Sequence, residues 1–148
     1  FDPTLQFPFL VLLVSGGHCQ ILLARGVGDY TMLGGTLDDS LGEAYDKSAR
    51  MLGLDLDNAG GGGGPALEAL AREGNPKAVN FGVPMRGRRN CHFSFAGLKT
   101  AVRMAVLKAG GDLTNPLPDP KAAADIAASF QHAAVRHLED RLTRAVGL

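Results

Sequence analysis

The chain has 148 residues, 45% hydrophobic and 20% charged, with Lys plus Arg equal to Asp plus Glu at 15 each. This composition excludes a disordered chain and gives no global positive field, and the length suffices for one domain with a real core. Cys19 and Cys91 lie far apart and form no CxxC pair, which points to a reducing, intracellular setting; no apolar run reaches bilayer length and no signal peptide is visible.

The first elements surround "LVSGGHCQILLA", residues 13 to 24. Apolar residues Phe9 to Val14 and Cys19 to Ala24 read as buried strands, separated by a glycine turn and the polar His18. Glycine takes positive φ without strain, so Gly16 and Gly17 are expected to turn a hairpin. Their missing side chains also let another molecule approach the main chain, and exposed amides in such a turn can cradle an anion. Both a plain hairpin and a ligand loop fit this stretch. A turn-rich segment follows, with a short extended piece near Tyr30 to Leu33.

Ser40 and Glu43 have the S-x-x-E spacing of a capping box at a helix start. Leu41, Ala44, Tyr45, Ala49 and Leu52 then recur at helical spacing, and Gly53 suits the C′ position. Glu43, Asp46, Lys47 and Arg50 fall on the other face, which reads in isolation as solvated surface with local ion pairs. The next stretch, "DLDNAGGGGGPALEALAREGN", is a glycine loop running into Pro65, a favoured first helical residue, with a helix to about Arg72 stopped by Gly74. A glycine loop feeding a helix N-terminus can bind an anion, and it can equally be a linker. No G-K-[ST] follows and no strand leads directly in, so it is neither a Walker loop nor a Rossmann fingerprint.

Downstream, Arg86, Arg88 and Arg89 form a basic knot in a loop, either solvated or facing a phosphate backbone. His92 to Phe95 reads as a short aromatic strand, and a helix begins near Leu98 with Ala101, Val102, Ala105 and Val106 in its apolar stripe. After a proline-rich loop, Pro120 opens a long helix whose Ile126, Phe130, Ala134, Leu138, Leu142 and Val146 recur every four residues as core. His132 and His137 lie about 140° apart on that helix, poor geometry for a shared metal, and are read as structural or surface residues.

The ordered set "LVSGGH", "LDDSLGEAYDK", the glycine loop with "GPALEAL", and "FSFAGLKT" resembles the tRNA threonylcarbamoyladenosine synthase family, called TsaD in bacteria and formerly labelled O-sialoglycoprotein endopeptidases or glycoproteases. The resemblance runs from about Phe7 to Val146, and "NCHFSFAGLKTAVR" with "ADIAASF" is closest to plant and algal organellar members. It implies an α/β fold of the actin, Hsp70 and sugar-kinase ATPase type, two lobes around a ligand cleft, with this chain covering most of the second lobe. The chain starts with Phe rather than Met and stops just after a helical pattern, so it is read as a fragment. The implied activity transfers a threonylcarbamoyl group from threonylcarbamoyl-AMP to the adenosine beside the tRNA anticodon. The chain alone is expected to be inactive and prone to associate.

Carried over by the resemblance, Leu13, Val14, Ser15, Gly16 and Gly17 match the loop that holds the phosphate and acyl part of the adenylate. Asp46 matches a nucleotide contact, Gly64 the glycine that passes close to the nucleoside, and Glu68 a ribose-binding glutamate of archaeal members. The loop Gly60 to Gly64 is longer than the family's "PGGP", which leaves its register between Gly63 and Gly64 open. One divalent metal, Fe or Zn, is implied per full-length subunit, with ligands outside this segment. Leu13 stands where archaeal members have a ligating tyrosine, so no metal ligand is assigned. Implied partners are threonylcarbamoyl-AMP, tRNA, and a second copy or accessory tRNA-modification subunits, with no membrane. The implied location is mitochondrial or plastid in a eukaryote and cytoplasmic in a bacterium. Rival readings are a metal-dependent glycoprotease, for which H-E-x-x-H is absent, and a nucleotide-binding ATPase or sugar-kinase-like lobe without transferase activity. A covalent role for Ser15 lacks the G-x-S-x-G elbow.

Overall fold

The structure, a computed structural model, describes residues 4–57 and 61–148. Part of the glycine-loop reading, including Gly60, lies outside the described residues. Three strands, β1 (Phe9–Val14), β2 (Cys19–Gly26) and β3 (Asp29–Gly35), form an antiparallel sheet in the order β1-β2-β3. Four helices follow among the described residues: α1 (Leu41–Met51), α2 (Gly63–Ala71), α3 (Ala96–Lys108) and α4 (Pro120–Val146). The architecture is α/β, as expected.

The hairpin forms at the expected place, with Val14 opposite Cys19 and Leu13 opposite Gln20. Two details differ. Neither Gly16 nor Gly17 has positive φ; that role falls to Gly28 in the β2–β3 turn, at +75°. β1 is half-buried rather than buried, and its last residues Leu13 and Val14 are exposed. Alternation along the strand accounts for the half-burial, while Leu13 and Val14, on opposite faces, are both exposed at the strand end beside the loop. Leu10 and Leu12 pack against the core, while Val11 lies in a cross-strand row with Leu22 and the exposed Met32 on the opposite face.

The core gathers Cys19 and Ile21 from β2, Ala44, Ala49 and Leu52 from the α1 region, and Leu98, Val102 and Val106 from α3 around the apolar side of α4. α1 packs on α2 and α3, and α4 packs on both. Ser40 makes the capping box: its Oγ accepts from Glu43 N–H, while Glu43 Oε1 accepts from Ser40 N–H. Gly53, at φ +71°, ends that helix as expected.

Four other expectations are corrected. α2 begins at Gly63, two residues earlier than the sequence suggests, because Asp46 of α1 accepts the Gly63 N–H and so supplies a cap from outside the helix. His92 to Phe95 is not a strand: only Phe93 bridges, in parallel, to Thr36 beside β3, and α3 starts at Ala96. The face of α1 read as local ion pairs is divided, since Lys47 reaches back to Asp39 and Asp46 turns to α2. The apolar row on α4 holds for Ile126, Phe130 and Ala134, but Leu138 and Leu142 are half-buried and Val146 is exposed. A four-residue repeat drifts about 40° per step on a 3.6-residue helix. The buried line therefore shifts to Ala133, His137, Arg141 and Ala145.

The interior of that line is polar and closely tied to its surroundings. His137 Nε2 accepts from Ser94 N–H while Phe93 and Phe95 meet its ring edge-on. Burial, followed by the positive charge of Arg141, pushes the His137 pKa down to about 4. Arg141 donates to the carbonyls of Asn90 and Met85, fastening the 85–90 loop to α4. Arg86, Arg88 and Arg89 in that loop are exposed, and so is His132.

Candidate functional site

A pocket of about 660 Å³ opens where three segments meet. Val14, Ser15 and Gly16 border it from the β1–β2 loop, Leu41, Gly42, Tyr45 and Asp46 from α1, and Gly61, Gly64, Pro65 and Glu68 from the α2 region. Gln131 and Val135 of α4 close the remaining side. Of the eight residues singled out from sequence, Val14, Ser15, Gly16, Asp46, Gly64 and Glu68 come together here. Leu13 and Gly17 are outside the lining. Strand alternation puts Leu13 on the face opposite Val14.

The loop is held by α1. Ser40 Oγ donates to Gly16 O at 2.7 Å and Gly42 N–H donates to Ser15 O at 3.3 Å. A Cβ on Gly42 would stand 2.6 Å from Gly16 Cα, so the loop can rest on the helix only with glycine there. Inside the loop, Ser15 Oγ accepts the amides of Gly17 and His18, and Ser15 N–H donates to His18 O. The idea of several free amides is therefore corrected. Of Ser15, Gly16 and Gly17, only Gly16 keeps an N–H without a partner among the described residues. A Cβ on Gly16 or Gly17 would meet nothing within 4 Å, which leaves the main chain open to a bound molecule.

On the opposite wall, Asp46 Oδ1 accepts Gly63 N–H at 2.8 Å. A Cβ on Gly63 would lie 2.5 Å from Asp46 Cα, whereas one on Gly64 would meet nothing within 4 Å. Gly63 is thus the residue packed on α1, and Gly64 is the one that borders the pocket. Asp46 and Pro65, which has no N–H, together reduce the capacity of the α2 N-terminus for an anion. With Glu68, paired to Arg72 at 3.7 Å, this wall offers carboxylate acceptors rather than phosphate donors. Tyr45 packs edge-on against Phe130 and its hydroxyl lies 3.3 Å from Gln131 Oε1; burial, then the charge of Glu68, raises its pKa to about 12. It is a neutral hydroxyl at ordinary pH.

Ser40, Gly42, Tyr45, Gln131 and Val135 were not singled out from sequence as site residues. Gly42, a glycine inside an otherwise well-formed amphipathic helix, was the one visible signal, since such a residue costs helix stability unless something must come close. Among the described residues no group of three or more His, Cys, Asp or Glu could hold a metal ion. His92 Nδ1 accepts Gly35 N–H and His137 is enclosed, so neither is turned to this pocket.

The family model for TsaD, tRNA N6-adenosine threonylcarbamoyltransferase, matches residues 1–148. Among curated proteins, the chain is 50% identical over 150 residues to "Probable tRNA N6-adenosine threonylcarbamoyltransferase, mitochondrial" of Arabidopsis thaliana, covering 98% of this chain and 31% of that protein. It is 54% identical to the tRNA N6-adenosine threonylcarbamoyltransferase of Granulibacter bethesdensis, covering 97% of this chain and 36% of the relative. For the protein of the same name in Erythrobacter litoralis the identity is 54%, with 99% and 38% covered. The chain spans about a third of the length of these relatives.

Proposed function

The chain belongs to the tRNA N6-adenosine threonylcarbamoyltransferase family, and we propose that it forms the adenylate-holding part of an enzyme that transfers threonylcarbamoyl from threonylcarbamoyl-AMP to the exocyclic amine of the adenosine beside the tRNA anticodon. The observation that carries this reading is the chemical polarity of the pocket. One wall is the open main chain at Gly16, and the other presents Asp46 and Glu68. A nucleoside monophosphate ester has the complementary polarity. Its ribose hydroxyls donate to carboxylates, and its phosphate and acyl oxygens accept from backbone amides.

In this reading the adenylate lies with its ribose against α1 and α2 and its mixed anhydride over the β1–β2 loop. The adenosine amine attacks the carbamoyl carbon, the C–N bond forms, the C–O bond to phosphate breaks, and AMP leaves with the electron pair. The amine's proton is lost to solvent or to the departing phosphate. An aromatic amine is a weak nucleophile, so holding the donor in line is the main contribution of these residues. In this reading the Gly16 N–H, which has no partner among the described residues and belongs to a residue bordering the pocket, meets the developing negative charge. The Fe or Zn ion implied by the resemblance finds no ligand set among the described residues, and no step here passes through it.

No helix among the described residues is long and apolar enough to cross a membrane. The proposed setting is mitochondrial or plastid in a eukaryote and cytoplasmic in a bacterium, and the mitochondrial name of the Arabidopsis thaliana relative supports the first of these. A second copy or accessory tRNA-modification subunits complete the proposed partners. The test is incubation of the full-length protein with tRNA and threonylcarbamoyl-AMP, followed by mass analysis of the nucleosides. Threonylcarbamoyladenosine is the expected product. Its absence, alongside hydrolysis of ATP or peptide bonds, would move the assignment to the ATPase or protease reading.

A further inference from the structure

α1 separates the pocket from a second concavity of opposite charge. A groove of about 460 Å³ between α1 and α3 is walled by Lys47 and Arg50 on one side and Lys99 and Arg103 on the other, over Met51 and Ala96. No carboxylate among the described residues lines it. Lys47 and Lys99 share one partner below, Asp39: Lys47 Nζ is 2.8 Å from Oδ1, and Lys99 bonds Oδ2. The shared carboxylate holds the two ammonium groups side by side. Arg50 and Arg103 are exposed and have no ion-pair partner among the described residues. Lys99 and Arg103 are four apart on α3 and Lys47 and Arg50 three apart on α1, spacings at which like charges weaken a helix. With a formal net charge of zero, this chain has no compositional surplus that would gather four cations in one groove.

We propose that the α1–α3 groove docks the phosphate backbone of a structured RNA. Resting on the function proposed above, that RNA is the tRNA stem adjoining the base presented to the pocket. The residues of α1 that border the pocket (Leu41, Gly42, Tyr45, Asp46) and those that border the groove (Lys47, Arg50, Met51) centre about 160° apart at 100° per residue. One helix thus carries the adenylate on one side and the RNA backbone on the other. A strand that delivers a base to the N-terminal side of α1 can run its phosphates past these cations. The two arginines offer planar forks suited to phosphate oxygens, and the paired lysines add point charge.

The experiment titrates an anticodon stem–loop RNA into the full-length protein by fluorescence anisotropy at several salt concentrations. It compares the wild type, the double variant Arg50→Gln/Arg103→Gln, and Lys77→Gln, an exposed cation elsewhere. Binding of threonylcarbamoyl-AMP is measured on the same proteins. The double variant should bind RNA about tenfold more weakly, with a slope of log K against log salt shallower by about 2, one for each phosphate no longer neutralised. Lys77→Gln and adenylate binding should match the wild type. Unchanged RNA affinity and slope in the double variant overturn the groove, as does a parallel loss of adenylate binding. A wild type that binds adenylate but no RNA also overturns the groove while leaving the pocket reading intact. RNA binding that disappears with the two arginines, in a protein that never binds adenylate, supports the groove and removes the pocket reading.

Discussion

Gly63 and Gly64 are neighbours with opposite reasons to lack a side chain. Gly63 presses on α1, whereas Gly64 has open space where a methyl would go. Gly64→Ala should therefore fold at least as well as the wild type, gaining up to about 1 kcal/mol of helix propensity, yet bind threonylcarbamoyl-AMP more weakly because the methyl enters the pocket. Chemical denaturation and ligand titration on one sample check both halves. Gly42→Ala pits the same propensity gain against a backbone clash at 2.6 Å, where overpacking costs roughly 1–3 kcal/mol. The clash wins, so that variant should lose stability and ligand affinity together. Asp46→Ala removes the acceptor of Gly63 N–H as well as a proposed ribose contact, and should cost roughly 1.5–3 kcal/mol of adenylate binding. Asp46→Asn keeps an oxygen for Gly63 and should retain the loop; equal affinity in all three proteins would return Asp46 to a purely structural role.

At the scale of elements, two helix starts among the described residues are capped from elsewhere. Ser40 caps α1 locally, but α2 is capped by Asp46 and α3 by Asp38. Asp38 Oδ1 accepts Phe95 N–H at 2.8 Å and Oδ2 accepts the Ser94 hydroxyl, since Phe95 at the N-cap has no side-chain oxygen of its own. Partial burial pushes the Asp38 pKa up, but the bonds from Phe95, Ser94 and neighbouring amides outweigh it and hold the carboxyl below its ordinary value. Asp38→Ala should cost about 1–2 kcal/mol, the upper part of the usual range for a lost helix cap. Urea unfolding would show it, and a change below about 0.3 kcal/mol, within the scatter of surface substitutions, would refute the cap. The two adjacent aspartates of "LDDS" thus have separate duties, Asp38 for α3 and Asp39 for the two lysines.

For the whole molecule, the enclosed His137 joins α4 to the Phe93–Phe95 segment and makes stability depend on pH. Its folded pKa of about 4 lies below the ordinary 6.5, so the unfolded chain binds the extra proton between those values. Its contribution is fully present above pH 6.5 and declines as pH falls toward 4, by about 3 kcal/mol in all. Asp38, Asp39, Asp112 and Asp125 have lowered pKa values and lose their contribution only below about pH 5, so the loss between pH 6.5 and about 5 is assigned to the histidine. Denaturation midpoints at pH 7, 5.5 and 4.5 should fall in that order; a flat profile would show that His137 protonates without cost.

Local signals were enough for the hairpin, the Ser40 capping box, the Gly53 stop and the start of α4 at Pro120, because each depends on residues within one turn of chain. Motif order was enough for the family, since "LVSGGH", "LDDSLGEAYDK" and "FSFAGLKT" occur together across the chain. What neighbouring residues could not determine were contacts between segments far apart in sequence. Gly16 and Gly17 looked like a positive-φ turn, but neither has positive φ, and the glycine that the loop's position demands is Gly42, 26 residues after Gly16. The glycine loop read equally as an anion site or a linker, and neighbouring residues could not show that Asp46, 17 positions before Gly63, takes the first amide of α2. His92 to Phe95 had the composition of a strand and no partner beyond one bridge among the described residues. Tertiary structure decided these points because a helix end, a close approach and a buried polar group are each satisfied by whatever atom arrives across the fold.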